Sequence, residues 1–164
     1  MKTILTLALA ATLLACSSPK QESSTAEATA ETVTVEQKAD LSASVDAYMS
    51  LKDAFVATDA AKAKDAAATL STELKKAGFE SLVASSDKIA GSEDIKVQRA
   101  AFYELTTAFI PEVKKAELTS KVYVQYCPMA FDNTGANWLS KSSEIRNPYF
   151  GDMMLKCGKV EEEI

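Results

Sequence analysis

Residues 41–55, LSASVDAYMSLKDAF, are the stretch that decides the fold class. Its large apolar side chains recur every three or four positions, at Leu41, Val45, Tyr48, Leu51 and Phe55. That spacing places them on one face of an α-helix. Because such a face must be buried against other elements, the stretch predicts one member of a helical bundle.

The helical period continues in three further segments up to residue 115. Their boundaries are predicted from residue types: Thr58 or Asp59 and Ser92 as N-caps, Gly78 and Gly91 as C-terminal stops. The connections between the segments are short, which favours antiparallel neighbours. Residues 41–119 are therefore expected to form a mainly α, up-and-down antiparallel helical bundle.

One proline interrupts the last of these helical segments. Pro111 has no N–H to donate and its ring clashes with the preceding turn. The last helix is therefore expected to kink or end at Pro111.

The pattern changes in residues 122–158, VYVQYCPMAFDNTGANWLSKSSEIRNPYFGDMMLKCG. Alternating apolar residues up to Cys127 predict a strand, the turn residues around Gly135 follow it, and Trp138 is expected to begin a returning strand. Asn147 and the proline after it are typical of a helix start, and this short helix is expected to end near Cys157. Residues 120–164 are thus predicted to be a Cys/Met-bearing extension, a small β-hairpin plus a short helix, packed on the bundle.

Sulfur atoms are concentrated in this extension, and they suggest a metal site. On a strand, residues two apart point to one side, and on a helix residues three or four apart share a face. Thiolates and thioethers are soft donors that select Cu(I), whereas structural zinc prefers four Cys or His ligands, and the chain has no His. The candidate ligands are Cys127, Met129, Met153, Met154 and Cys157.

A disulfide is the alternative for the same two cysteines. A Cys127–Cys157 bond would close a loop of about 30 residues and stabilise the domain by roughly 3 kcal/mol. The methionines would then fill the core. In this alternative the domain is a protein-interaction module without metal, and its candidate partner-docking side chains are Trp138, Tyr149 and Phe150.

The N-terminus predicts export. Residues 1–15 carry Lys2 and then an apolar run too short to span a bilayer, as in a signal peptide. The run ends in LLAC at residues 13–16, which resembles the bacterial lipobox, so Cys16 is the expected lipidation site. Residues 16–40 are poor in large apolar residues and predict a flexible tether. We expect a lipid-anchored protein in the periplasm or at the cell surface, at the outer membrane because Ser17 follows Cys16.

Composition argues against two other classes of function. The formal net charge of −5 disfavours binding to nucleic acid, which selects basic surfaces. The chain has no Ser–His–Asp set, no glycine-rich phosphate loop and no Cys-x-x-Cys motif. A Cys nucleophile would lack the His that usually activates it. We therefore expect the protein not to be an enzyme.

Several motifs also resemble a known family. They are residues 126–130 (YCPMA), 135–140 (GANWLS), 145–151 (IRNPYFG) and 154–158 (MLKCG), with residues 48–54 and 59–63 in the helical part. The resemblance is to an uncharacterised domain family of exported proteins, and to the domain appended to the C-terminus of periplasmic adaptor subunits of heavy-metal efflux pumps. It implies a helical bundle with a Cys/Met-bearing C-terminal region that works near copper or silver export. Because the chain has only a lipid anchor and no adaptor hairpin or barrel, a free-standing accessory lipoprotein is expected.

Overall fold

Four helices make up the first part of the chain that this computed structural model describes, residues 40–164. They are α1 (Ser42–Val56), α2 (Ala60–Lys76), α3 (Glu80–Ala90) and α4 (Ile95–Lys115), and each packs mainly against its neighbour in sequence. The predicted signal peptide, Cys16 and all of the tether except its last residue lie outside the described residues. Within residues 40–164, no helix combines the length and apolar character needed to cross a bilayer.

Two aspartates cap the longer helices. The side chain of Asp59 accepts a hydrogen bond from the main-chain N–H of Lys62, which confirms it as the cap of α2. Asp94, not Ser92, caps α4: its carboxylate accepts from the N–H of Lys96 at 2.7 Å. Ser92 instead accepts from the N–H of Asp94, so the helix begins two residues later than the serine alone predicted.

Helix α4 does not end at Pro111 but continues to Lys115. The fixed φ of proline suits a helix, and the missing N–H deprives only the carbonyl of Thr107 of its partner. Both Pro111 and Thr107 are exposed, so water can reach that face of the helix. The sequence predicted a kink or an end at Pro111, and the second of these alternatives was wrong.

A three-stranded antiparallel sheet follows, with strand order β2–β1–β3. Strands β1 (Tyr123–Cys127) and β2 (Ala136–Ser140) form the predicted hairpin. Strand β3 (Lys159–Glu163) was not predicted, because every one of its side chains is exposed and its sequence KVEEE shows no apolar alternation. It forms along the other edge of β1, where Tyr126 lies opposite Lys159.

The C-terminal part contains a short helix, as predicted, but it is a 3₁₀ helix of three residues, Gly151–Met153, and not an α-helix from residue 147 to Cys157. Ten residues of α-helix would separate the ends by about 15 Å. The side-chain amide of Asn147, however, donates a hydrogen bond to the main-chain oxygen of Cys157 at 2.8 Å. Residues 147–157 therefore fold back on themselves, helped by the left-handed conformation of Gly151 at φ 57°, and form what we call the closed loop.

One hydrophobic core joins the helices to the sheet. Tyr48 of α1 stacks on Phe102 of α4 with 5.2 Å between ring centroids. The ring of Tyr149, in the closed loop, also packs on Phe102, with 5.6 Å between their centroids. The hydroxyl of Tyr48 also accepts a hydrogen bond from the N–H of Leu139 in β2. The hairpin that carries Cys127 is thus fixed to α1 and α4.

Candidate functional site

The two cysteines outside the N-terminal segment meet in space. Cys127 is the last residue of β1, and Cys157 precedes β3 by two residues. Because β1 and β3 are paired, these ends are adjacent, and the two sulfur atoms lie 2.7 Å apart. No bond joins them, and this separation is longer than the ~2.05 Å of a covalent S–S bond but shorter than the contact distance of two unbonded sulfur atoms, so the pair lies close to disulfide geometry. The sequence proposed this pairing as one alternative, and the structure brings the two residues together.

The two thiols differ in their access to solvent. Cys127 is fully buried, while Cys157 is partly exposed. The hydrogen bond with Cys127, followed by desolvation and the charge of that neighbour, raises the pKa of Cys157 from 9.0 to about 11. In the reduced protein Cys157 is consequently a neutral thiol at pH 7. It is the thiol that a reagent or an ion from solution meets first.

The methionines do not adopt the arrangement that the sequence predicted. Strand β1 ends at Cys127, and Met129 lies in the following turn with 46 % of its surface exposed, so it does not continue a strand face with Cys127. Met153 is 77 % exposed at the end of the 3₁₀ turn, and Met154 follows it, partly exposed. Since there is no α-helix here, the predicted helical face shared with Cys157 does not exist.

Exposed methionines nevertheless lie close to both cysteines in the sequence. Four large hydrophobic side chains are exposed within residues 40–164, and two of them, Met129 and Met153, are two and four residues from a cysteine. Within the same range, no group of three or more His, Cys, Asp or Glu side chains is placed to hold a metal. The donors that this region offers are therefore the two thiols and nearby thioethers.

The aromatic side chains that were candidates for partner docking lie mostly in the interior. Trp138 is fully buried and Tyr149 is 7 % exposed, while Phe150 is partly exposed. The hydroxyl of Tyr149 donates to the main-chain oxygen of Asn137 at 2.6 Å. Trp138 and Tyr149 thus belong to the core that supports the thiol pair, and a partner could not contact them without opening the domain.

Two residues that support the site were not recognised as such from the sequence. Asn147 was assigned to a helix start, but it is fully buried and bonded to the Cys157 carbonyl. Arg99 of α4 is also buried, and its Nε donates to the main-chain oxygen of Pro148 at 2.9 Å. Arg99 falls among residues with a helical period, where an arginine is ordinarily on the solvent face, so the sequence held no signal for this role.

Comparison with known proteins adds a family match for the helical part only. No curated protein matches the chain, and no solved structure does. The matched region ends two residues before β1, so it contains neither Cys127 nor Cys157. Residues 45–121 match the model of an uncharacterised domain family, described as "Protein of unknown function (DUF3347)".

Proposed function

We propose that the chain is an exported lipoprotein that binds a soft metal ion, Cu(I), through Cys127 and Cys157. The observation that carries this proposal is the contact between the two sulfur atoms at 2.7 Å, one buried and one reachable from solvent. In this role the protein is an accessory to periplasmic metal handling or efflux, and it buffers the ion or passes it to an efflux complex.

The donor chemistry supports a soft ion. Thiolate sulfur selects Cu(I) over harder ions. Within residues 40–164 no group of three or more His, Cys, Asp or Glu side chains is placed to supply the ligand set of Mg²⁺, Ca²⁺ or a four-coordinate zinc site. Metal–sulfur bonds of about 2.3 Å require two sulfurs on one ion to stand roughly 4 Å apart. Binding therefore separates Cys157 from Cys127, and Cys157 lies in a connection outside any regular element. It also releases the protons of both thiols.

Thioethers complete the proposed site. Met129 follows Cys127 in the turn after β1, and Met153 and Met154 precede Cys157 in the closed loop. An exposed methionine lacks the stabilisation that burial would give it, so the exposure of Met129 and Met153 a few residues from the cysteines supports a ligand role. We propose that these three side chains receive the ion at the surface before the thiols hold it.

A disulfide-stapled interaction module without metal is the second candidate. It is favoured by the same sulfur contact, which is already closer than a bridging ion requires. A Cys127–Cys157 bond would tie the end of β1 to the start of β3. In this case a partner would dock on the exposed Met153 and the partly exposed Phe150, since Trp138 is buried.

Native mass spectrometry of the full chain, exported by a host supplied with copper and purified without oxygen, separates the two candidates. We expect the mass to increase by one copper ion, and Cys127→Ser and Cys157→Ser each to abolish the increase. Met49→Leu is the matched control, because Met49 is a buried methionine of α1. A mass lower by two hydrogens, without copper, would support the disulfide module instead. Unchanged copper affinity in Cys127→Ser would rule out the proposed ligands.

The location rests on the N-terminal sequence and has its own test. We propose that Cys16 is acylated after export and anchors the protein to the membrane, at the outer membrane in a cell that has one. The full chain should sediment with membranes and carry the mass of a lipid, whereas Cys16→Ser should be released in soluble form. Sedimentation of both forms alike would contradict the lipid anchor.

A further inference from the structure

We propose that Asn147 is a positioning residue that holds Cys157 against Cys127. This inference rests on the proposed function only in taking the thiol pair as the working site, whatever the pair binds. Asn147 is fully buried although its side chain is polar. Burial of an amide is costly unless its N–H and C=O groups form hydrogen bonds inside the protein. The partners in those hydrogen bonds therefore indicate the role of Asn147.

The side chain of Asn147 bonds at both of its ends. Its Nδ2 donates to the main-chain oxygen of Cys157 at 2.8 Å. Its Oδ1 accepts from the main-chain N–H of Tyr149 at 2.8 Å and of Phe150 at 3.3 Å. Because the first partner is a carbonyl and the others are N–H groups, the orientation of the amide is determined by its surroundings.

The main chain of Asn147 closes the same loop. Its N–H donates to the oxygen of Leu155 at 2.8 Å, and its oxygen accepts from the N–H of Gly151 at 3.0 Å. One residue therefore fastens the start, the middle and the end of the segment that delivers Cys157. The bond from Nδ2 is the one that reaches the cysteine itself.

The loop in turn is fixed to the bundle. Arg99 holds the main-chain oxygen of Pro148, the residue after Asn147, and also bonds the oxygen of Phe55 at the end of α1. Cys127 is held separately by the pairing of β1 with β2. Since Cys157 lies between the closed loop and β3, its contact with Cys127 depends both on the pairing of β3 with β1 and on how firmly the closed loop is placed.

Placement of the thiols can be measured as their tendency to form a disulfide. In the exchange with glutathione, two glutathione thiols give up their protons and two electrons, one S–S bond forms between them, and the Cys127–Cys157 bond is reduced to two thiols. The more firmly Cys157 is held near Cys127, the more this equilibrium favours the protein disulfide. Removing the bond from Nδ2 should therefore shift the equilibrium towards the reduced protein.

Asn147→Asp, measured at a pH at which its carboxyl is ionised, is the sharpest variant, because the carboxylate retains both acceptor contacts to Tyr149 and Phe150 but has no donor for Cys157. The full chain is equilibrated in glutathione buffers, and the oxidised fraction is read by mass after thiol trapping. We expect the equilibrium constant for disulfide formation to fall at least tenfold. Asn133→Asp is the matched control, since that side chain is exposed, and it should leave the constant within twofold.

The outcomes are distinct. A merely structural residue would lower the stability of the reduced and oxidised forms alike and leave the glutathione equilibrium unchanged, and that result would overturn the proposal. If Asn147→Asp does not fold, the side-chain N–H of Asn147 in the native chain is followed by nuclear magnetic resonance. We expect its exchange with solvent to be slow and its chemical shift to move on oxidation of the thiols. Fast exchange in both forms would also overturn the proposal.

The same variants keep this inference separate from the proposed function. If the native chain takes up no Cu(I) while Asn147→Asp shifts the glutathione equilibrium, the metal function fails and the positioning role stands. If Cu(I) binds to the native chain and to Asn147→Asp alike, and the glutathione equilibrium does not move, the positioning role fails and the metal function stands.

Discussion

Arg99 of α4 donates a hydrogen bond from Nε to the main-chain oxygen of Pro148, 2.9 Å away. Its Nη2 donates to the oxygen of Phe55 at 2.9 Å and to Oγ1 of Thr58 at 3.1 Å. All of these acceptors are neutral, and burial lowers the pKa of Arg99 below its ordinary value. The charged guanidinium is tolerated at this buried position because hydrogen bonds from a charged donor are stronger than those from a neutral donor. Arg99 thus links three segments: the end of α1, the connection from α1 to α2 and the closed loop.

Replacement of Arg99 should therefore destabilise the domain. Arg99→Met retains much of the side-chain volume but leaves the buried oxygen of Pro148 without its side-chain donor and removes one of the two donors, Arg99 and the Thr58 N–H, to the oxygen of Phe55. We expect the free energy of unfolding to fall by about 3 kcal/mol, measured by urea denaturation. Arg146→Met is the control, because Arg146 is exposed, and its effect should stay within about 0.5 kcal/mol. Equal effects of the two substitutions would contradict the role assigned to Arg99.

A second polar contact joins the helices to the hairpin. The hydroxyl of Tyr48 lies 2.8 Å from Oγ1 of Thr106 and accepts from the N–H of Leu139. Tyr48→Phe retains the ring but removes both bonds, so we expect a loss of about 1–2 kcal/mol in the free energy of unfolding. Tyr103→Phe serves as the control, since that ring is only partly buried. A stability of Tyr48→Phe equal to that of the native chain would show that these bonds contribute nothing.

The elements with a regular period could be predicted from the sequence. The apolar stripe from Leu41 to Phe55 lies on one helix, and the alternation up to Cys127 lies on one strand, because burial of one face selects both patterns. Strand β3 carries no such pattern because none of its side chains is buried. It pairs with β1 through its main chain, and its exposed glutamates add ion pairs, Glu162 with Lys114 and Glu163 with Lys121.

The closed loop could not be predicted, for a different reason. Asn147 followed by proline is typical of a helix start, and the residues after it do not forbid a helix. What decides the conformation is a contact across ten residues, from the Asn147 side chain to the Cys157 carbonyl, together with the anchor at Arg99. Tertiary contacts of this kind leave no local period. The two cysteines were recognised as a pair, but the way they are held together required the structure.

Gly158, next to Cys157, should not tolerate a side chain. Its φ is 145°, and a Cβ atom there would lie 2.7 Å from Cη2 of Trp138 and 2.9 Å from the main-chain oxygen of Tyr126. Since Trp138 is fully buried, it has little room to move. We expect Gly158→Ala to lower the free energy of unfolding by about 2–3 kcal/mol and to change the fluorescence of Trp138, the single tryptophan.

Gly78→Ala is the matched control for this substitution. Gly78 also has a positive φ, 80°, but a Cβ atom there would meet nothing within 4 Å. Gly78→Ala should lower the free energy of unfolding by only about 1 kcal/mol, the cost of placing alanine at a positive φ, and should leave the fluorescence spectrum of Trp138 unchanged. A loss at Gly158 no larger than the loss at Gly78 would show that the contact with Trp138 is not restrictive.

The raised pKa of Cys157 predicts slow reaction with alkylating reagents. Thiolate is the nucleophile, and a pKa of about 11 in place of 9.0 leaves roughly one hundredth of the thiolate at pH 7. In reduced, metal-free protein, the rate of Cys157 modification by iodoacetamide should rise with pH to a midpoint near 11. Because the hydrogen bond with Cys127 is the largest cause, Cys127→Ala should move the midpoint back towards 9.

The same shift gives the direction of a stability change with pH. The folded reduced protein keeps the Cys157 proton to a higher pH than the unfolded chain does, so the contribution is complete below pH 9.0 and is lost as the pH rises to about 11. Urea denaturation of the reduced protein should therefore show falling stability across this window. In Cys127→Ala the fall should be smaller. An equal fall in both proteins, with an unchanged alkylation midpoint, would show that the contact with Cys127 does not control the ionisation of Cys157.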